Sequence, residues 1–130
     1  MVELARKNAP NCNFIKGDIR SLDSNIKYDA VIASFCIVHL SNNELIDFIP
    51  KLNTLLNKNG YLYLSFIEGN KAGFIKPDFL DDEIYFNFFE RADIIKLLTN
   101  NLFKINDLIE YDYWEENGSA SKEIFIFAQK

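Results

Sequence analysis

Residues 28–40, "YDAVIASFCIVHL", decide the fold. Ala30-Val31-Ile32-Ala33 is apolar without alternation, the pattern of a strand covered on both faces in a parallel sheet. Just downstream, Ser41-Asn42-Asn43-Glu44 matches a capping box, in which the Ser hydroxyl and the Glu carboxylate satisfy each other's exposed backbone N–H groups. The helix it opens sets Leu45, Phe48, Ile49, Leu52, Leu55 and Leu56 on one face at 3–4 spacing. Pro50 is expected to bend or restart this helix, and Asn59-Gly60 to end it at a left-handed position. Tyr61-Leu62-Tyr63-Leu64-Ser65-Phe66 is the next strand. Strand, helix and strand together predict a parallel crossover.

Working outward, residues 2–8 read as the last turns of a helix stopped by Pro10, and residues 14–18 as a short strand ending in a turn. Helix into strand is the second half of a βαβ unit. On the other side, residues 68–82 read as loop, with Gly69, Gly73 and Pro77. Residues 84–89 are short, aromatic and extended. Residues 92–101 form a helix that turns Ile94, Ile95, Leu97 and Leu98 inward. Residues 103–113 and 122–129 are two strands, with Asn117-Gly118 as a turn signal between them. The expected fold class is α/β: helices around a mostly parallel sheet that closes with a C-terminal antiparallel strand pair.

Composition sets the outer limits. The 130 residues leave room for one domain, 1–130, with a core that needs no staples. At 48% apolar and 25% charged, the chain is of globular composition. Its net charge of −5, without a Lys/Arg cluster, argues against nucleic-acid binding, which needs a basic footprint. The longest apolar run, residues 30–38, falls short of the roughly 20 residues of a membrane span. Cys12 and Cys36 have no metal-ligand partner at suitable spacing, so reduced thiols and a cytoplasmic location are expected. A lone histidine, His39, with no aligned cysteine or carboxylate pair argues against a zinc site.

The order of elements and their local wording resemble the class I S-adenosylmethionine-dependent methyltransferases of the small-molecule type. "ELARKNAPNCNFIKGDIRSL" resembles the helix after that family's second strand, followed by its third strand with an acidic end. "YDAVIASFCIVHLSNNEL" is similar to the fourth strand and the loop after it. "LNTLLNKNGYLYLSF" is similar to a helix and fifth strand joined by a Gly turn, and "FFERADIIKLLTNNLFKI" to the last helix and sixth strand. The resemblance implies methyl transfer from S-adenosylmethionine to a small-molecule acceptor. It also implies a Gly-rich loop and two strands before Met1, so an isolated chain of impaired activity is expected. Two rival expectations stand beside it: a non-catalytic remnant that self-associates, and one half of a split enzyme completed by a partner chain. A homodimer, or a partner carrying the N-terminal half, follows from either.

The resemblance places cofactor-binding roles on Asp18, Ile19, Ser34, Phe35 and Cys36. Asp18 would accept from the adenine amino group, as a carboxylate that only accepts can, and the Ile19 N–H would reach a ring nitrogen. The bland alternative for Asp18 is a turn or helix cap. Backbone carbonyls at Ser34, Phe35 and Cys36 would hold the cofactor's amino group, with core packing as the alternative for Phe35 and Cys36. Asp18, Phe35 and Glu68 all map to the carboxyl edge of the sheet, where ligands of open α/β folds sit. His39 is the candidate catalytic residue, a general base with a near-neutral pKa, or else a helix-entry residue that packs locally. Phe74, Phe79, Tyr85, Phe86, Phe88 and Phe89 cluster where such enzymes build a substrate lid, or simply pack.

Overall fold

The computed structural model describes residues 1–23, 25–76, 81–114 and 118–130. Pro77, Phe79 and Asn117 of the readings above lie outside the described residues. The elements run α1 (Val2–Asn8), β1 (Tyr28–Ala33), α2 (Asn42–Leu55), β2 (Leu56–Ile67), β3 (Ala72–Ile75), β4 (Ile84–Asn87), α3 (Arg91–Asn100), β5 (Lys104–Trp114) and β6 (Ala120–Gln129), with short 3-10 turns at Ile19–Ser21 and Ile37–His39. Strands β1, β2, β6 and β5 form one sheet in that order, and β3 and β4 form a separate hairpin.

The α/β class is as expected, with the crossover from β1 through α2 to β2 parallel and the closing β5–β6 pair antiparallel. The parallel part is the single β1–β2 pairing, because β6 inserts antiparallel against β2. Helix α2 begins at the capping box, with the Ser41 N–H donating to Glu44 Oε2 at 2.8 Å and the Glu44 N–H to Ser41 Oγ at 3.3 Å. Its apolar face buries Leu45, Phe48, Ile49 and Leu52 in one core with Leu62, Leu64, Phe66, Ile124 and Ile126 of the sheet, and Leu55 is buried at its end. Each such side chain contributes roughly 1.5–3 kcal/mol on burial. Ile94 and Leu98 of α3 complete this single core.

Four expectations change. The helix passes through Pro50 without interruption; the carbonyl of Ile46, four residues earlier, loses its partner on an exposed stretch where water can serve it. It ends at Leu55, not at Asn59-Gly60. Leu56 pairs with Tyr28 while Tyr61 pairs with Ala30, so residues 57–60 form a wide bulge inside β2, with Asn59 at φ 65°. Residues 14–18 form no strand, since nothing among the described residues offers a ladder beside them, and Ile15 stays 90% exposed. Residues 68–82, read as loop, include β3, which a sequence pattern of four residues could not reveal without its partner β4.

The two faces of the sheet differ. Leu62, Leu64, Phe66, Ile124, Ile126 and Ala128 point into the core under α2 and α3. Their alternates Ile32, Tyr61, Tyr63, Phe125, Phe127, Ile109, Tyr111 and Tyr113 share the other face, by the register of the three pairings.

Candidate functional site

Parallel strands β1 and β2 end side by side, and the chain turns there in a way the sequence alone did not announce. Phe35 takes φ 46°, a left-handed backbone that bulky residues rarely adopt. Ser65, fully buried on β2, accepts the Phe35 N–H at 3.0 Å and so holds that turn. The Phe35 ring meets Phe125 edge-on at 5.8 Å. Ser34 is exposed and Cys36 half-buried, just beyond the carboxyl end of β1. Burial pushes the Cys36 thiol pKa up, which keeps it a thiol.

The turn at Ile37–His39 carries the lone histidine to the β3–β4 hairpin. His39 Nδ1 lies 3.1 Å from the Tyr85 carbonyl, and its ring meets Phe86 edge-on at 5.5 Å. A carbonyl only accepts, so Nδ1 carries a proton, and in the neutral ring the lone pair is on Nε2. His39 itself is exposed.

Asp18 and Ile19 reach this edge through a second link. Asp18 caps the turn Ile19–Ser21 by accepting the Arg20 N–H at 2.9 Å. The Arg20 guanidinium grips the same carboxylate, with Nε at 2.9 Å from Oδ1 and Nη2 at 2.5 Å from Oδ2. Its Nη1 donates to Glu44 Oε1 at 3.1 Å, which ties the segment to the start of α2. The Arg20 side-chain hydrogen bond holds the Asp18 carboxyl at a pKa of about 2. The cap reading of Asp18 is therefore realised, and its carboxylate is already engaged. Arg20 was missed by the sequence reading; the i, i+2 spacing of Asp18 and Arg20 was the available signal.

Glu68 follows the end of β2 beside the same edge. Arg91, the first residue of α3, binds it through Nε and Nη2, the latter at 2.7 Å, and also reaches Glu110 of β5 at 2.6 Å. The Arg91 hydrogen bond lowers the Glu68 pKa. A cavity of about 470 Å³ opens on the other side, between α2 and α3, bordered by Asn42, Leu45, Gly69, Phe88, Asp93 and Leu97. None of the six candidate residues lines it.

With this geometry in view, the similarities to known proteins are informative. A family model described as a methyltransferase domain matches residues 1–60, a span that contains Asp18, Ile19, Ser34, Phe35, Cys36 and His39. The ubiquinone biosynthesis O-methyltransferase of Rickettsia conorii is 26% identical over 94% of this chain and 46% of its own length. A methyltransferase structure from Methanosarcina mazei superposes with a TM-score of 0.80 at 16% identity, covering 99% of this chain and 76% of that one. The chain is thus similar over its first 60 residues to a methyltransferase domain, and it has the fold of S-adenosylmethionine-dependent methyltransferases. Burkholderia thailandensis 1,6-didemethyltoxoflavin-N1-methyltransferase, solved with its namesake acceptor and S-adenosylhomocysteine, superposes on this methyltransferase fold with a TM-score of 0.71. That match has 16% identity and covers 98% of this chain and 55% of the other. The chain spans about half the length of the curated relative that it matches.

Proposed function

We propose that this chain forms part of an S-adenosylmethionine-dependent methyltransferase acting on a small molecule, with the crevice at the ends of β1 and β2 as its cofactor edge. The observation that carries the reading is the strained Phe35 turn, because strain held by a buried hydrogen bond at a strand end is characteristic of ligand clamps. The residues present fit the cofactor in part. Ser34, Phe35 and Cys36 offer main-chain groups at the mouth, and Asp18 and Ile19 offer an acceptor and a donor for an adenine edge. The fit is limited by Arg20, which must yield one Asp18 oxygen first. Bound S-adenosylmethionine supplies an electrophilic methyl group.

What the chain itself contributes is positioning, the larger part of catalysis in a displacement between two bound partners. In this reading His39 acts as general base: with Nδ1 committed to the Tyr85 carbonyl, Nε2 takes the proton that the acceptor loses. The hairpin that fixes His39 also carries Phe74, Tyr85, Phe86 and Phe88, a surface suited to an apolar or cationic acceptor. A cytoplasmic setting suits the two free cysteines. No helix among the described residues is long and apolar enough to cross a membrane.

A second reading, a non-catalytic member of the fold, is favoured by the Asp18–Arg20 pair, which already occupies the adenine acceptor. An NMR titration with S-adenosylhomocysteine into the millimolar range separates the two. Methyl transfer predicts saturable shifts at the amides of Ile19, Phe35 and Cys36, weakened in Asp18→Ala. Absence of any saturable shift would favour the non-catalytic reading. Binding is expected to be weak, because the Asp18 carboxylate is already engaged by the Arg20 guanidinium.

A further inference from the structure

The cavity between α2 and α3 is lined by residues that all fall within positions 42–100. Its apolar surface comes from Leu45 and Ile94, which are also core residues, and from the half-buried Phe88 and Leu97. Gly69 lets the Phe88 wall close in, since a Cβ at position 69 would lie 3.0 Å from Phe88 Cβ. At about 470 Å³ the cavity falls in the range of roughly 300–1,000 Å³ that accommodates small molecules.

One polar group on this lining is left half-satisfied. Asn87, at the end of β4, lines the cavity and is only 4% exposed. Its Nδ2 donates to the Leu40 carbonyl at 3.0 Å and to Asn42 Oδ1 at 3.1 Å. The Leu40 carbonyl can only accept, which fixes the orientation of the amide. Asn87 Oδ1 accepts from no donor among the described residues. Every fully enclosed side-chain oxygen or nitrogen among those residues has a partner, so this oxygen is open to the cavity. A buried amide oxygen in that position calls for a donor from within the cavity.

We infer that the cavity is a binding site for a small apolar molecule carrying one N–H or O–H donor, such as a phenol or an N–H heterocycle. Its donor bonds to Asn87 Oδ1, and its apolar body lies against Leu45, Phe88 and Leu97. Charge selects the same class. Glu90, Asp93 and Lys96, the charged residues of the lining, are all exposed and so belong to the rim. An ion at the Asn87 end would shed its water without gaining a counter-charge. Two carboxylates against one ammonium also give the rim a negative sign, which disfavours anions at the entrance. None of Asp18, Ile19, Ser34, Phe35, Cys36 and His39 lines the cavity, and the inference does not rest on methyl transfer.

Indole and N-methylindole, which differ in the N–H, test it by NMR titration of the 130-residue chain. Indole should give saturable shifts at the amides of Leu45, Asn87, Phe88 and Leu97 and at the Asn87 side-chain amide. N-methylindole should bind about tenfold more weakly, the effect of one lost hydrogen bond. Ala72 is the cross-strand partner of Asn87, so its side chain shares that face of the hairpin, and it is exposed. Ala72→Trp should therefore fill the cavity beside Asn87 and abolish the indole shifts with an unchanged far-ultraviolet spectrum. Asn87→Ala should erase the preference for indole over N-methylindole. Should that variant not fold, the two ligands measured on the wild type and on Ala72→Trp decide. Absence of a saturable indole shift, equal binding of the two ligands by the wild type, or binding untouched by Ala72→Trp would each overturn the proposal.

Discussion

Phe35 keeps a left-handed backbone only because Ser65 lies beneath it. Removing the hydroxyl leaves the Phe35 N–H without its partner in a part-buried turn. Ser65→Ala should therefore lower stability by about 1–3 kcal/mol, the cost of an unsatisfied buried donor, read as a fall in the denaturant midpoint at unchanged slope. Asp18 behaves differently, because it is exposed. Its folded pKa falls from 3.8 to about 2, with the Arg20 side-chain hydrogen bond as the main cause. A depressed carboxyl stabilises the fold above its unfolded pKa, and this contribution fades as pH drops from 3.8 towards 2. Asp18→Asn should flatten the dependence of thermal midpoint on pH across that window. Carboxyl chemical shifts of the wild type should titrate Asp18 with a midpoint near the lower value.

Among the elements, the bulge in β2 is the least ordinary. Gly60 sits inside it with no room for a side chain: a Cβ would lie 2.9 Å from the Asn57 carbonyl oxygen and 3.2 Å from that of Asp29. Both are backbone atoms, so neither can swing aside. Gly60→Ala should destabilise the chain by about 1–3 kcal/mol, measurable by chemical denaturation. The same bulge shows where sequence reading reaches its limit. Asn59-Gly60 carried a correct left-handed signal, but local chemistry cannot say whether such a residue closes a helix or kinks a strand. Tertiary pairing with Tyr28 and Ala30 decided for the strand. The long periodic stretches were legible for the opposite reason: the stripe of α2 and the run of β1 each contain enough positions to fix a period. The site was legible only in outline. Ser34, Phe35 and Cys36 were singled out by the family resemblance and their position after a strand, whereas the Ser65 clamp, the Arg20 grip and the Tyr85 carbonyl depend on partners 2 to 46 residues away.

At the level of the whole molecule, a chain of charges crosses from one element to the next: Glu68 just after β2, Arg91 of α3, Glu110 of β5, Lys122 of β6 and Asp112 of β5. Arg91 sits at the branch, with its side chain 32% exposed. Solvent screening discounts such pairs, so Arg91→Met should cost only about 1 kcal/mol at low salt, and less than that in molar salt. Denaturation of both chains at the two ionic strengths would check this. The insertion of β6 between β2 and β5 has a further consequence, for the way the molecule is made. The last ten-residue strand is the one that joins the two halves of the sheet, and the Lys130 N–H still reaches back to the Gly60 carbonyl at 3.0 Å. While the ribosome is at work, β2 has been synthesised and waits with one flank unpaired for a segment not yet translated. The core under α2 can therefore close only once β6 has been made and released from the ribosome. Until then the nascent chain carries an open strand, and whatever holds it apart from its neighbours on the polysome sets the yield of folded protein.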